Sequence, residues 1–533
     1  MGTLWYNGTF YTMTAQGDAV EAVFTENGLI SGAGSLKEME TRFADSISEK
    51  VNLEGNTIFP GFVDSHMHLI GHGETLIRLD LSQMNTKEQV IQAVKEKAEN
   101  TSEGSWVIGE GFNENLWENS EVVTRQEIDE VVADKPVLLK RICRHAMVAN
   151  SRALELADID LDTENPAGGV IERNENGELN GVLKDTAQDL LVEALPSPTG
   201  EYLEEALTKA VENCWRLGLV GGHTEDLSYY GNFHKTYQTF LNVIEEGGKK
   251  FRSHLLVHQA VIDDWKEAGF TFMGGTPFVE FGAMKIFADG ALGGRTALLS
   301  HPYNDDPSTN GVAIHSQENL TELVKKAREY QLPIAVHTIG DQAFENVLDV
   351  VEAYPTYNGR RDRFIHAQLL RRELIDRIKG LPLILDIQPR FVPSDFPWVI
   401  DRVGEENMEY NYAWKTLLDE GIPCAGGSDA PIEPVDPLLG IHAAVTRTNP
   451  LDPERTVYME EQRLSMYEAV SLFTKGSAYA CHHEHDHGLI KEGYKADFTV
   501  LPKDLFKVEP DELLDMKVEM TIVDETVVYK REN

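Results

Sequence analysis

Eight short apolar runs, several of them separated by amphipathic stretches, constrain this chain more than any other feature. They read "TIFPGFVDSH", "GLVGGH", "FRSHLLVHQ", "FVEFGAMKIFAD", "LPIAVHT", "RFIHAQ", "LPLILDIQP" and "GIPCAGGSDA". Between them lie stretches such as "EYLEEALTKAVENCWRL", "SQENLTELVKKAREY" and "RRELIDRIKG", with apolar residues at helical spacing. A strand buried on both faces reads as an unbroken apolar run, and strand–helix alternation is the pattern of a parallel sheet. Eight such strands predict an α/β fold, a (β/α)8 TIM-type barrel.

Such a barrel typically takes ~250 residues, and the stretch from His66 to Asp429 is well above that. Setting aside residues 69–197 brings it to about that length. That segment is therefore expected to be an insertion after the first strand, over the active-site face. It carries helix-like "KEQVIQAVKEKAEN" and hairpin-like "GGVIERNENGELNGVL". Residues 1–57 and 488–533 give short strands and turns instead, as in "ADFTVLPKD" and "VEMTIVDETVVYK". They predict a small composite β-sandwich domain built from both termini, leaving 58–487 for the barrel.

Charge limits the partners. The 88 acidic residues outnumber the 48 basic ones, for a net charge of −40. That field repels phosphate backbones and anionic membrane surfaces, which argues for a small-molecule substrate and against nucleic acid or membrane. No apolar stretch approaches the ~18 residues of a membrane span. The opening "MGTLWYNGTFYTMTAQGDAV" lacks a basic n-region, so a cytoplasmic location is expected. Four cysteines (Cys143, Cys214, Cys424, Cys481) without a CxxC argue against a disulfide framework or a thiolate zinc site. The terminal sheet offers a surface for a homodimer.

Several residues stand where chemistry is expected. "PGFVDSHMHL" puts His66 and His68 two apart at a strand end, where alternation points both rings to one side. His337 ends "LPIAVHT", His366 ends "RFIHAQ", and Asp429 follows "GIPCAGGS". All lie at C-terminal strand ends, the catalytic face of this fold. The nitrogen and oxygen donors suit zinc, with manganese, iron or nickel as alternatives. Asp64 is expected to support a ligand imidazole. His145, His223, Asp289, Arg295 and Trp117 are candidate substrate contacts. A structural hydrogen bond explains His145 and core packing Trp117 equally well, Asp289 and Arg295 contact substrate or stabilise their loop, and His223 reads as pocket lining rather than a ligand. Lys285, inside the "FGAMKIFADGALGG" strand, either snorkels or serves the site. "CHHEHDHG", at 481–488, has no strand scaffold and reads as a solvated loop, with loose adventitious metal binding as the alternative.

Taken in order, "PGFVDSHMHL", "WVIGEGFNENLW", "RHAMVANSRAL", "GGVIERNENGELNGVLKD", "MKIFADGALGGRTA", "AVHTIGDQA", "IHAQ", "GGSDAPIEPVDP" and "GLIKEGYKADFTVL" resemble the amidohydrolase superfamily. Within it they are similar to the YtcJ-like "amidohydrolase 3" branch, which includes N-substituted formamide deformylases. The resemblance implies that His66, His68 and Asp429 bind one metal and that His337 and His366 bind a second. It implies that Lys285 is carbamylated by carbon dioxide and bridges the two. An unmodified ammonium has no lone pair for a cation, so the alternative is a single-metal site. One departure is "GLVGGHTED", where the branch has something nearer to "GLTSVHD"; it leaves the role of His223 open. The implied reaction is hydrolysis of an amide-like C–N bond by hydroxide that the metal draws from water, with Asp429 as catalytic acid–base. A deaminase of a cyclic amidine and an inactive binding relative are the alternatives.

Overall fold

The computed structural model describes residues 1–114, 117–118, 121–141, 146–166, 169–357 and 359–532. The chain forms two compact units, Met1–Gly71 with Leu203–Asn533, and His72–Tyr202.

The first unit holds eight parallel strands. They are Phe62–Met67, Leu219–Thr224, Arg252–His258, Val279–Phe287, Ile334–Thr338, Asp362–His366, Leu383–Ile387 and Cys424–Gly426. Each pairs with the next in parallel register. The eighth meets the first just beyond their ends, where the Asp429 N–H donates to the His66 carbonyl at 2.8 Å. The His68 N–H donates back to the Ala430 carbonyl at 2.7 Å. Every apolar run read as a barrel strand contributes a strand to this sheet, in sequence order.

The helices between strands follow from their patterns. In Gln317–Glu329 the buried residues include Leu320, Val324 and Ala327, four and three apart on one stripe. Ser316 caps the helix by accepting the Asn319 N–H at 3.2 Å. Burial of each large aliphatic side chain on such a stripe contributes about 1.5–3 kcal/mol.

The run "TIFPGFVDSH" divides in two. Thr57–Pro60 pairs antiparallel with Phe498–Leu501, and only Phe62–Met67 enters the barrel. Gly61 sits at the break, where a Cβ would lie 2.4 Å from Val220 Cγ1. Strands from both ends join one eight-stranded sheet, in the order Thr526–Lys530, Met520–Val523, Phe498–Leu501, Thr57–Pro60, Gly2–Tyr11, Ala19–Glu26, Leu29–Gly34, with Ile47–Asn52 also on Gly2–Tyr11. Trp5, Phe10 and Ile58 share its core with Phe498, Val500 and Ile522, so the two termini bury each other's apolar faces. This sheet belongs to the same compact unit as the barrel.

The second unit has its own six-stranded sheet and two apolar clusters. Helix Lys87–Glu99 lies where helical spacing places it, and the run from 169 onward forms the antiparallel hairpin Gly169–Arg173 with Leu179–Asp185. Its limits, 72 and 202, lie a few residues later than expected because residues 69–71 stay with the barrel. Among the described residues no helix is long and apolar enough to cross a membrane.

Candidate metal centre

Six residues from five strand ends meet inside the first unit. His66 Nε2 lies 3.4 Å from Asp429 Oδ1, and His68 Nε2 lies 3.5 Å from the same oxygen. Donor atoms of His66, His366 and Asp429 all fall within 4.8 Å of one another. The His337 and His366 rings stand 4.5 Å apart between centroids. Lys285 is fully buried, with its Nζ 4.1 Å from the centroid of the Phe287 ring and no hydrogen-bond partner.

Three of the imidazoles are held by one nitrogen each. His68 Nδ1 bonds the Glu225 carbonyl at 2.8 Å, His337 Nε2 the Gly290 carbonyl at 3.0 Å, and His366 Nδ1 the Gln388 side-chain oxygen at 2.8 Å. A carbonyl only accepts, so it holds a ring proton on that nitrogen; in the neutral ring the other nitrogen then carries a bare lone pair. His66 Nδ1 is buried without a partner. Outer acceptors that orient each ring and free one lone pair are what metal-binding histidines require, and the donor set fits a divalent cation.

The backbone contributes too. His366 and Asp429 adopt φ of 75° and 59°, the left-handed region that side chains other than glycine rarely visit. Such conformations cost about 1–3 kcal/mol each and persist where surrounding contacts over-determine them.

Electrostatics follows from burial. It drives His66 and His337 well below the ordinary histidine value and His366 to about 4. Burial, opposed by Glu225 and Asp429, also lowers the Lys285 amine. His68 differs: against the same burial, Asp429 and Glu225 hold it up at about 9.

Other expected contacts lie elsewhere. Asp64 touches no ligand imidazole. Its carboxylate accepts the His66 N–H at 3.0 Å and the Ser428 N–H and hydroxyl at 3.1 and 2.5 Å, clamping the barrel closure. Asp289 accepts the backbone N–H groups of Leu298, Ile339 and Gly340 and also lies 3.6 Å from Nε2 of His337, beside a candidate ligand, whereas Arg295 pairs with both oxygens of Asp305. His223 packs on His254, 5.0 Å between centroids, lining a separate cavity at the N-terminal end of the strands. Trp117 is 5% exposed in the core of the second unit and donates its indole N–H to Met84 O at 2.9 Å, so packing accounts for it. His145 lies outside the described residues.

Sequence reading missed Glu225, Gln388 and His258. Glu225 holds His68 by its carbonyl and accepts the Tyr229 hydroxyl. His258 ends the third strand, with its ring 5.8 Å from Phe287. Their signal in the sequence is "HTED" and "LLVHQ", polar groups at strand ends.

The amidohydrolase family model matches residues 49–529. The amidohydrolase-type protein YtcJ of Bacillus subtilis (strain 168) is 50% identical over 531 residues, covering 100% of both chains. The N-substituted formamide deformylase of Arthrobacter pascens is 27% identical and covers 98% of each. Among solved structures, an uncharacterized metal-dependent hydrolase from Pyrococcus horikoshii OT3 superposes with a TM-score of 0.81 at 30% identity. That match covers 96% of this chain and 99% of the other.

Proposed function

The chain belongs to the amidohydrolase family and is a metal-dependent hydrolase acting on carbon–nitrogen bonds; from that premise we propose that its substrate is a small amide-like molecule, with N-substituted formamides the favoured class. The substrate class is supported by the similarity to the Arthrobacter deformylase. The reaction type rests on one observation: three histidines, each tied through one nitrogen to an outer oxygen, cluster with Asp429.

In this reading His66, His68, His337, His366 and Asp429 hold zinc, as one or two ions. Zinc supplies a Lewis acid that polarises a carbonyl and lowers the pKa of nearby water towards ~7. Asp429 orients the attacking water, accepts its proton on a carboxylate oxygen and returns it to the leaving nitrogen. Lys285 enters as a carbamate: its neutral amine adds to carbon dioxide, forming an N–C bond and releasing one proton, and so gains anionic oxygens. Its burial without a hydrogen-bond partner supports this.

A panel of N-substituted formamides and longer amides, given to zinc-reconstituted protein, tests the reading. Release of the acid and the amine in equal amounts is the expected result. Ammonia from cyclic amidines, with every amide inert, would replace it by ring deamination. For Lys285, protein equilibrated with 13C-bicarbonate should show a carbamate resonance that is absent from Lys285→Ala.

A further inference from the structure

The "CHHEHDHG" run is not the solvated loop its composition suggests. Only His485 behaves so, with a side chain 91% exposed. His483 and His487 turn inward, against the N-terminal ends of the third and fourth barrel strands.

There His254, third residue of Arg252–His258, faces Glu280, second residue of Val279–Phe287, with Nδ1 2.7 Å from Oε1. Gly282 makes room for the ring, since a Cβ there would lie 2.2 Å from His254 Nε2. His483 Nε2 donates to both Glu280 oxygens at 3.0 Å. Its Nδ1 donates to Asp486 Oδ1 at 3.0 Å, and His487 Nδ1 bonds that same oxygen at 2.8 Å. Cys481 is buried, and its Sγ lies within 4.8 Å of donor atoms of both His254 and Glu280. All of these side chains line one cavity of about 230 Å³.

We propose that His254 Nδ1, Glu280 and Cys481 Sγ form a second metal site, for a thiophilic divalent cation such as zinc. An imidazole, a carboxylate and a thiol are borderline-to-soft donors that zinc accepts together, whereas hard magnesium or calcium would reject the sulfur. Donors around zinc stand about 3.5 Å apart, so the histidine–glutamate pair, now at 2.7 Å, opens and the sulfur closes on the ion. Binding releases the Cys481 thiol proton to solvent and moves the His254 ring proton to Nε2. Thiolate and carboxylate then balance the two positive charges of the ion. His483 holds Glu280 in place through its hydrogen bonds and is itself held by Asp486, while the cavity leaves a coordination position for water. Glu280 lies five residues before Lys285 on the same strand, roughly 17 Å away, so the two sites are separate. The ion would tie the segment before the C-terminal strands to the start of the barrel.

Cobalt(II) titration of the full-length protein tests this. The six-residue centre at the other end of the barrel contains no sulfur, so a thiolate-to-cobalt charge-transfer band reports this site alone. We expect the band to saturate at one cobalt per chain and to vanish in Cys481→Ser, with one metal equivalent lost by elemental analysis. Cys143→Ser, Cys214→Ser and Cys424→Ser should retain the band, and turnover of Cys481→Ser should match wild type. Glu280→Gln, which keeps shape and hydrogen bonding, should weaken cobalt binding at least tenfold. Absence of the band in wild type, or its survival in folded Cys481→Ser, overturns the site and leaves a proton-linked ion-pair cluster in its place.

Discussion

Arg363 and Asp386 form an ion pair inside the barrel at 2.8 Å, with side chains 1% and 0% exposed. The guanidinium also donates to the Ser65 carbonyl at 2.6 Å, one residue before His66. The pair therefore joins the sixth and seventh strands to the first, next to the candidate ligands.

Removing one partner strands a charge in the interior. Arg363→Met should destabilise the fold by about 3–5 kcal/mol, and the double variant Arg363→Met/Asp386→Leu should recover part of the loss. Denaturant midpoints at fixed pH measure both; a single variant as stable as wild type would sink the argument.

Asp429→Asn keeps the size of the side chain and an oxygen donor but cannot take a proton. Metal content should stay near wild type because four histidines remain, while kcat falls roughly 10²–10⁴-fold. Elemental analysis beside steady-state kinetics checks the two halves independently.

Dialysis against a chelator should abolish turnover, and zinc should restore it. His66→Ala should bind less metal than wild type at equal zinc, because one nitrogen of the cluster is gone. Equal metal content in the two proteins would remove His66 from the ligand set.

Gly427 lies where the eighth strand meets the first. A Cβ there would stand 2.6 Å from the His66 backbone nitrogen and 2.7 Å from Asp64 Oδ1. Gly427→Ala must push these apart, so we expect both a lower melting temperature and reduced zinc retention. A variant that matches wild type in both measurements would show that the closure tolerates the shift.

Asp395, buried and bonded by the Tyr412 hydroxyl at 2.7 Å, is pushed by that burial from 3.8 to about 7. Between those values the folded state holds a proton that the unfolded state has lost. Its contribution is therefore full below about pH 4 and fades as pH rises through about 7, with a slope of up to ~1.4 kcal/mol per pH unit. Asp395→Asn should flatten that part of the stability profile, measured by urea denaturation from pH 4 to 8. An unchanged slope would contradict the shift.

The sequence by itself determined the order of eight barrel strands and the strand ends that carry His66, His68, His337, His366 and Asp429. Both are local properties, since periodicity decides the element and alternation decides the face. The tertiary structure alone decided which ring nitrogen each histidine leaves free, because Glu225, Gly290 and Gln388 reach those rings from other strands or loops. It also set Asp64 to clamp the backbone of the barrel closure, and split "TIFPGFVDSH" between two sheets. "CHHEHDHG" shows the limit most clearly. Composition says solvent, yet Glu280, some two hundred residues earlier, accepts a hydrogen bond from His483 at 3.0 Å beside a cavity. Hydrogen-bond partners are set by contacts between segments distant in the chain, and no local pattern encodes them.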